Sequence, residues 1–222
     1  DVDFDYRIFN SDGSEVGQCG NGSRCLARFV AEQGLSSKTR LRVRTRTSIL
    51  ELHRLSNGQV TVNMGAPRFE PREIPFLAPE RRDCYALDVD GRRIQFGAVS
   101  MGNPHLVMEV TDVDTAPVAT LGPRLEPHQD FPERVNVGFL QIVSSTRARL
   151  RVFERGAGET LACGSGACAA VAVGRLWGKL DAHVAVEVRG GELQLEWQGE
   201  GHPVLMTGPA ETVFKGELEW QE

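Results

Sequence analysis

The chain carries one pattern twice, 144 positions apart, and this repeat limits the folds that the chain can adopt. The first copy covers residues 7–22 and the second covers residues 151–166, and no gap is needed to align them. Each copy has a short strand, a glycine-rich turn and a cysteine, and a helix is expected to follow. The repeat predicts two similar halves that each present one thiol, Cys19 in the first half and Cys163 in the second.

The second copy leads into a stretch that is apolar on every side. Cys163 lies in a glycine-rich turn at residues 162–166, and residues 167–173 read ACAAVAV. A helix that is apolar all round belongs in a core, and this one is too short to span a bilayer. Cys163 is therefore expected at the N-terminus of a buried helix, where free N–H groups and the helix dipole lower the pKa of a thiol. The helix after Cys19 is more amphipathic, and Gly34 is expected to end it.

Composition excludes several classes of function. The chain has 222 residues and a net charge of −5, so no bulk attraction to nucleic acid or to an anionic membrane is expected. We see no signal peptide and no transmembrane run. The five cysteines are an odd number, which is typical of reduced thiols rather than of a disulfide framework.

Alternation of apolar and polar residues predicts strands over much of the remaining chain. Three hairpins are expected around the glycine-containing turns Asn57-Gly58, Asp90-Gly91 and Gly190-Gly191. A mostly antiparallel arrangement follows from these short connections.

The architecture that these elements predict is α/β (α+β mixed), with two pseudo-symmetric halves. Each half is a curled, mostly antiparallel sheet around a central helix, and the active site is expected in the cleft between the halves. A further short helix is expected over residues 114–121. A last strand, over about residues 211–220, is expected to return to the first half. The halves are therefore assigned to residues 1–63 plus 209–222 and to residues 64–208.

Two thiols on similar scaffolds restrict the chemistry. A zinc site is not favoured, because the spacings from Cys19 to Cys25 and from Cys163 to Cys168 are wider than those of usual zinc pairs. A redox pair would more often be a Cys-x-x-Cys, and a Cys-His hydrolase needs only one nucleophile. Inversion of a carbon centre requires one group to remove a proton and another to deliver a proton to the opposite face. A two-base racemase therefore explains the duplication most directly.

Four sets of residues resemble the motifs of the diaminopimelate epimerase family, and they occur in the family's order along the whole chain. They are NSDGSE leading to QCGNG at residues 10–22, GNPH at 102–105, VN at 135–136, and ERGAGET leading to ACGSG at 154–166. The resemblance implies a pyridoxal-independent epimerase, without cofactor or metal, that interconverts LL- and meso-diaminopimelate for lysine and peptidoglycan synthesis. It also implies a cytoplasmic homodimer that binds a small molecule and neither nucleic acid nor a membrane.

The resemblance further implies roles for the motif residues. Cys19 and Cys163 would be the acid/base pair, and His105 would support the site. The residues that would bind substrate are Asn10, Asn103, Asn136 and Arg155 at the distal amino-acid end, Gly20, Asn21, Gly164 and Ser165 at the reacting carboxylate, and Glu154 near the reacting amine. Without the resemblance, the same side chains are typical of turns, caps and surface ion pairs.

Two alternatives stay open. Members of the family have a segment before the position of Asp1, with a Gly-Asn-Asp-Phe motif and a substrate-contacting glutamine, so we expect the first half to lack strands and part of its site. One alternative is thus a catalytically impaired fragment that only binds. The other is an isomerase of the same fold, such as a proline racemase relative. Asn21 and the Glu154-Arg155 pair argue against proline, because proline has no second amino-acid end for an arginine to bind.

The remaining cysteines match no motif of the family. Cys25, Cys84 and Cys168 are expected to be core or incidental thiols. Alkylation is expected to be selective for Cys19 and Cys163 over Cys84, because of their helix N-terminal positions.

Overall fold

The computed structural model describes residues 1–9, 13, 15–17 and 19–217. Strands dominate this part of the chain. The helices are α1 (Gly20–Glu32), α2 (Val118–Leu125) and α3 (Gly164–Leu176), and one short 3-10 helix covers Pro71–Glu73. The strands are, in chain order, β1 (Phe4–Asp5), β2 (Ile8–Phe9), β3 (Glu15–Val16), β4 (Arg40–Arg44), β5 (Ile49–Arg54), β6 (Val60–Asn63), β7 (Tyr85–Val89), β8 (Arg92–Ser100), β9 (Pro104–Glu109), β10 (Asn136–Ser144), β11 (Arg147–Glu154), β12 (Gly158–Glu159), β13 (His183–Val188), β14 (Gly191–Trp197) and β15 (Val204–Gly208).

Thirteen of these strands form one open sheet. Its order is β1-β4-β5-β6-β15-β14-β13-β11-β10-β9-β8-β7, with β12 beside β11, and β2 and β3 form a separate two-stranded ribbon. Three neighbouring pairs are parallel, namely β1 with β4, β9 with β10 and β11 with β13. The other pairs are antiparallel, as the three predicted hairpins require. The predicted mixed α/β fold is confirmed.

The repeat is present in the two main helices. α1 and α3 are each 13 residues long, and their first and last residues are 144 positions apart. Each helix is followed by a glycine in the left-handed conformation, Gly34 with φ 64° and Gly178 with φ 70°. A left-handed residue after a helix is usually glycine, because a Cβ there would contact the carbonyl oxygen. The expected helix end at Gly34 is confirmed, and Gly178 is its counterpart.

The repeat is also present in the hairpins that precede the helices. In the first copy Phe9 pairs with Glu15, and in the second Phe153 pairs with Glu159. Each glutamate forms an ion pair with an arginine of the hairpin, Arg7 with Glu15 at 3.0 Å and Arg151 with Glu159 at 2.7 Å. The two hairpins that precede the cysteine turns therefore share one register and one ion pair.

The expected strand over about 211–220 is wrong for the residues that the structure describes. Residues 209–217 contain no strand, since the ladder ends where Pro209 has no N–H to donate. The strand that returns to the first half is β15, in which Met206 pairs with Val62 of β6. β15 also pairs with β14, so the two sheets that we expected are parts of one sheet. The division at residues 63 and 209 stays a prediction.

The helix expected over residues 114–121 lies four residues later. α2 begins at Val118 and ends at Leu125. Pro117 occupies the N-cap position and its carbonyl accepts a hydrogen bond from the Leu121 N–H. A proline is tolerated at a helix start, where its missing N–H has no intrahelical partner to lose.

Two hydrophobic clusters stabilise the molecule. One contains the buried residues of both α1 and α3 together with the inner faces of β4, β5, β6, β14 and β15. The other surrounds α2 and includes an aromatic group of Phe76, Tyr85, Phe96 and Phe131. Residues Ala167 to Val173 of α3 are at most 1% exposed, which confirms the buried helix predicted from its all-apolar surface. No helix in the described part of the chain is long and apolar enough to cross a bilayer.

Candidate active site

Cys19 is the N-cap residue of α1. Its backbone is extended, with φ −144° and ψ 111°, and its carbonyl accepts the first helical hydrogen bond from the Ser23 N–H at 2.9 Å. The Cys19 sulfur accepts a hydrogen bond from the Gly22 N–H at 3.4 Å. The thiol is partly buried, so it lies in a helix N-terminus that solvent still reaches.

Tyr6 lies against the same turn. A Cβ placed on Gly22 would lie 2.4 Å from the Tyr6 hydroxyl and 3.6 Å from the Cys19 sulfur, so a larger residue at Gly22 would displace the tyrosine. Burial, with a smaller contribution from the nearby Cys19 and Cys25, raises the pKa of Tyr6 to about 12. The hydroxyl is therefore neutral near pH 7.

Cys163 is the N-cap residue of α3 and has the same extended backbone, with φ −119° and ψ 106°. The cysteine is 5% exposed, and its sulfur lies 3.7 Å from the Ser165 hydroxyl. Burial raises the pKa of the Cys163 thiol, and the Glu154 carboxylate raises it further; hydrogen bonds from Ser165 and Gly166 oppose these effects. Glu154 is held by the hydroxyl of Thr160, which donates to it.

The expected lowering of the Cys163 pKa is therefore wrong, although the expected helix N-terminal position is confirmed. The loss of solvent around the sulfur outweighs the stabilisation that the free N–H groups of the helix provide. The apolar run that predicted burial of α3 also removes the water that would otherwise solvate a thiolate.

The two helix N-termini lie next to each other. A Cβ placed on Gly20 would lie 2.5 Å from the Met206 methyl carbon, and one placed on Gly164 would lie 3.1 Å from the Met206 sulfur. Met206 of β15 is therefore packed between the first residues of α1 and α3. The Asn21 side-chain amide donates to the Ala162 carbonyl at 3.2 Å, which joins the two cysteine turns directly.

Asn103 and His105 lie beside the N-terminus of α3. The Asn103 amide nitrogen donates to the Ser165 hydroxyl at 3.4 Å, and its oxygen lies 3.0 Å from His105 Nε2. Burial, with a contribution from the positive charge of Arg155, lowers the pKa of His105 to about 3. The imidazole is therefore neutral near pH 7, and donation from Nε2–H to Asn103 fixes the orientation of the amide.

Asn136 joins the first residue of β9 to the turn after β11. Its side chain is buried and donates to the Pro104 carbonyl at 2.9 Å. Its amide oxygen accepts from the Arg155 N–H at 3.0 Å. The Arg155 side chain is exposed, and its guanidinium donates to the Glu133 carbonyl at 2.9 Å. Asn136 thus holds the turn from which Arg155 and Glu154 project.

The structure brings together eleven of the twelve residues expected in or beside the site. Ten of them are Cys19, Gly20 and Asn21 at α1, Asn103 and His105 at β9, Asn136 at β10, Glu154 and Arg155 at β11, and Gly164 and Ser165 at α3. The eleventh, Cys163, is the N-cap of α3. Asn10 lies outside the described residues.

Sequence reasoning missed Tyr6, Arg24, Thr160 and Met206, which contact the site. One signal was available for Arg24. It lies on the same face of α1 as the buried Ala27 and Val30, and an arginine on the apolar face of an amphipathic helix is unusual. Tyr6 and Met206 depend on contacts between separate parts of the chain, whereas Thr160 lies six residues after Glu154, at the end of the ERGAGET motif.

Three surface cavities among the described residues are lined by neither Cys19 nor Cys163. Their volumes are about 560, 520 and 420 Å³. The convergence of two helix N-termini identifies the site more directly than cavity size does, because it supplies both reactive groups and free N–H donors. Among the residues that the structure describes, no three His, Cys, Asp or Glu side chains are grouped to hold a metal ion.

The sequence matches known proteins over nearly its whole length. The family model for diaminopimelate epimerase matches residues 1–70 and 97–213. A diaminopimelate epimerase of Pseudomonas syringae pv. tomato is 57% identical over 218 residues, which cover 98% of this chain and 79% of the relative. A diaminopimelate epimerase of Chromobacterium violaceum is 57% identical over 217 residues, with the same coverage.

Solved structures share the fold at low sequence identity. A probable proline racemase from Agrobacterium radiobacter, crystallised with carbonate, matches with a TM-score of 0.72 at 16% identity, over 100% of this chain and 73% of that one. A hydroxyproline epimerase from Agrobacterium vitis matches with a TM-score of 0.69 at 16% identity, over 92% of this chain and 68% of that one. These likenesses concern the fold alone.

Proposed function

Because this chain belongs to the diaminopimelate epimerase family, we propose that Cys19 and Cys163 exchange protons with opposite faces of one stereocentre of diaminopimelate. The family makes the chain an amino-acid epimerase of lysine biosynthesis. The observation that carries the mechanism is the pair of cysteines at helix N-termini that meet at Met206.

A two-base mechanism needs one thiolate and one thiol in the same site. Burial and Glu154 favour the thiol form of Cys163 by raising its pKa. Cys19 is less buried, and its sulfur faces the Gly22 N–H. We therefore assign Cys163 as the thiol that delivers a proton and Cys19 as the base that removes one.

The Cys19 thiolate removes the α-proton from one face, which leaves the electron pair on the substrate carbon and a thiol at Cys19. Cys163 delivers its proton to the opposite face of that carbon and becomes the thiolate. When the inverted product leaves, the two cysteines have exchanged protonation states. This form of the protein catalyses the reverse reaction, or it returns to its starting form when the thiols exchange protons with solvent.

The free N–H groups at the starts of α1 and α3 are suited to the reacting carboxylate. Gly20, Asn21, Gly164 and Ser165 are the first two residues of the two helices, where backbone N–H groups have no intrahelical partner. Two helix dipoles that converge on one anion stabilise the negative charge that develops when the α-proton leaves. This supplies, without a cofactor, the stabilisation that the carbanion needs.

The distal amino-acid end is assigned to Asn103, Asn136 and Arg155, together with Asn10 from the family motif. The exposed Arg155 guanidinium can form a bidentate pair with a carboxylate. Neutral His105 orients Asn103. Glu154 is assigned to the reacting amine, because its carboxylate lies close to Cys163.

We further propose that the protein is a cytoplasmic homodimer. Within each chain, the two halves, residues 1–63 plus 209–222 and 64–208, flank the active-site cleft. All five cysteines are unpaired, which is typical of a reducing compartment. Phe9 of β2 and Phe29 of α1 are each 53% exposed, and exposed aromatic residues are common at subunit contacts. Sedimentation equilibrium would give twice the chain mass for a dimer and the chain mass for a monomer.

The two cysteines can be tested by substitution. Cys19→Ala and Cys163→Ala should each lower kcat for diaminopimelate by about 10²-fold to 10⁴-fold, the usual contribution of a positioned acid or base. Cys84→Ala is the matched control, because Cys84 is an exposed thiol outside the site, and it should retain parent activity. Near-parent turnover in either of the first two variants would contradict the assignment.

A second candidate substrate is proline, because the structural neighbours include a probable proline racemase. Proline offers no distal amino-acid end for Asn136 and Arg155, so the chain should exchange the α-proton of diaminopimelate and not that of proline. Exchange of the proline α-proton without exchange of the diaminopimelate α-proton would favour proline as the substrate.

A further inference from the structure

Arg24 is a buried cation that the proposed mechanism does not use. It is 7% exposed on α1, and its guanidinium donates to the Asn21 side-chain oxygen at 3.0 Å, to the Pro209 carbonyl at 3.0 Å and to the Met206 sulfur at 3.7 Å. Within residues 1–9, 13, 15–17 and 19–217, no carboxylate forms an ion pair with it. Burial of an arginine without an ion-pair partner lowers the stability of a protein. A buried arginine of this kind is therefore expected to have a specific role.

The repeat indicates that packing of the helix does not require this arginine. The residue at the same place in α3, 144 positions later, is Cys168, which is buried and uncharged. α3 has the same length and the same type of C-terminal cap as α1. The second copy of the helix therefore packs in the core without a cation at this position.

The contacts of Arg24 lead from one cysteine turn to the other. Arg24 holds the oxygen of the Asn21 amide, and the nitrogen of that amide donates to the carbonyl of Ala162, the residue before Cys163. Asn21 is also two residues after Cys19. With both ends of its amide occupied, Asn21 has one orientation, and that orientation ties the start of α1 to the start of α3.

We propose that Arg24 is a positioning residue for the proton transfer, because it fixes the Asn21 amide and thereby the separation of the Cys19 and Cys163 turns. The proposal rests on the proposed function, since it assigns the two turns to one reaction. A displacement of about 1 Å between reacting groups can lower a rate by about 10²-fold, so a link between the turns has a direct effect on turnover.

One turn further along α1, Arg28 supplies a matched control. Its guanidinium donates to the Ala210 carbonyl and to Glu32, which itself accepts from the Thr212 hydroxyl at 2.9 Å. Arg28 thus anchors the segment after β15 in the same way as Arg24 does, and it makes no hydrogen bond to Asn21. If Arg24 only anchored the segment after β15, replacement of either arginine would have the same effect on kcat.

Steady-state kinetics separates the two roles. Arg24→Met should lower kcat for diaminopimelate by about 10²-fold with little change in KM, whereas Arg28→Met should retain parent kcat. Arg24→Lys should also have a low kcat, because the lysine ammonium lacks the planar set of N–H donors with which the guanidinium binds Asn21 and Pro209 together. Full rescue by lysine, or equal kcat in the two methionine variants, would overturn the proposal.

A second measurement does not depend on turnover. Hydrogen exchange of the Asn21 side-chain amide, assigned in NMR spectra with Asn21→Asp, should be slow in the parent and in Arg28→Met and fast in Arg24→Met. A parent chain that leaves diaminopimelate unchanged would count against the proposed function, and the exchange rates would still decide whether Arg24 fixes Asn21. Equal exchange in the two methionine variants would refute the positioning role, and if Arg24→Met does not fold, Arg24→Lys gives the same comparison.

Discussion

At the scale of single residues, the two cysteines occupy equivalent backbone positions in unlike surroundings. Both cap a helix in extended conformation, but Cys19 is partly exposed and Cys163 is buried beside Glu154. The backbone equivalence follows from the repeat and could be predicted from the sequence. The burial of α3 could also be predicted, from its apolar run, but its effect on the Cys163 thiol could not, because that effect depends on how desolvation compares with the stabilisation from the helix N–H groups.

Burial changes the expected order of alkylation. Cys25 and Cys84 are exposed, whereas Cys163 is 5% exposed and its thiol form is favoured by a raised pKa. Because iodoacetamide reacts with an accessible thiolate, Cys25 and Cys84 should be labelled well before Cys163 at neutral pH, contrary to the expectation from the helix N-terminus. Peptide mass spectrometry over a time course gives the order, and early labelling of Cys163 would show that the site opens readily.

His105 should make stability depend on pH. Its pKa falls from 6.5 to about 3 in the folded chain, so between these values the unfolded state binds a proton that the folded state does not. The contribution of a neutral His105 is complete above pH 6.5 and is lost as pH falls toward 3. In His105→Gln, the free energy of unfolding should therefore decrease less between pH 7 and pH 5 than in the parent.

The exposed His183 of β13 provides the comparison for that experiment. His183→Gln should show the pH dependence of the parent in urea unfolding at both pH values. If the two glutamine variants lose stability in parallel with pH, burial of His105 is not the cause of the dependence.

At the scale of elements, the structure is two copies of a hairpin, a cysteine cap and a 13-residue helix. The sequence predicted these copies because their markers are local: a glycine turn, a cysteine and an arginine–glutamate pair at matching positions. It did not predict where the chain returns to the first half, because the pairing of β15 with β6 depends on partners about 140 residues apart. Arg24, Asn21 and Ala162 form a contact of the same long-range kind.

The two helix ends can be tested together. Gly34 and Gly178 have positive φ, and a Cβ on either would meet no atom within 4 Å, so only the backbone conformation opposes alanine. Gly34→Ala and Gly178→Ala should each lower the free energy of unfolding by about 1 kcal/mol. Gly216→Ala, at a position without positive φ and with equal space, should leave it unchanged. A lower free energy of unfolding in only one of the two helix-end variants would show that the two copies are not equivalent.

Glu126 stabilises the turns that flank Asn136 and Arg155. Its carboxylate is buried and accepts from Arg134 at 2.6 Å and from the Gly156 N–H at 3.0 Å, and Arg134 has an unusual positive φ of 62°. Glu126→Ala should lower the free energy of unfolding by about 1–3 kcal/mol, as expected when a buried charged partner of two hydrogen bonds is removed.

Glu109 is the control for Glu126, because its carboxylate forms an exposed ion pair with Lys179. Glu109→Ala should lower the free energy of unfolding by less than about 1 kcal/mol. Similar losses in the two variants, measured by chemical denaturation, would mean that the Glu126 contacts do not hold the turns.

At the scale of the whole molecule, one open sheet carries both helix copies and brings their N-termini together at Met206. The fold class, the two thiols and most of the site could be predicted from the repeat and from the motifs that follow it. The continuity of the sheet through β15, the burial of Cys163 and the link from Arg24 through Asn21 are properties of the assembled molecule. In the mechanism proposed here, the burial of Cys163 favours its thiol form and the Arg24–Asn21 link sets the separation of the two turns.

The most direct test of the two-thiol account is epimerisation of LL-diaminopimelate in deuterated water, stopped within the first turnover. If one cysteine removes the α-proton and the other delivers a proton from its own exchangeable thiol, the inverted centre of the product should carry solvent deuterium. The remaining substrate should still carry hydrogen at that centre. Product that retains the substrate hydrogen at the inverted centre would mean that a single base returns the proton it removed, and would contradict the account.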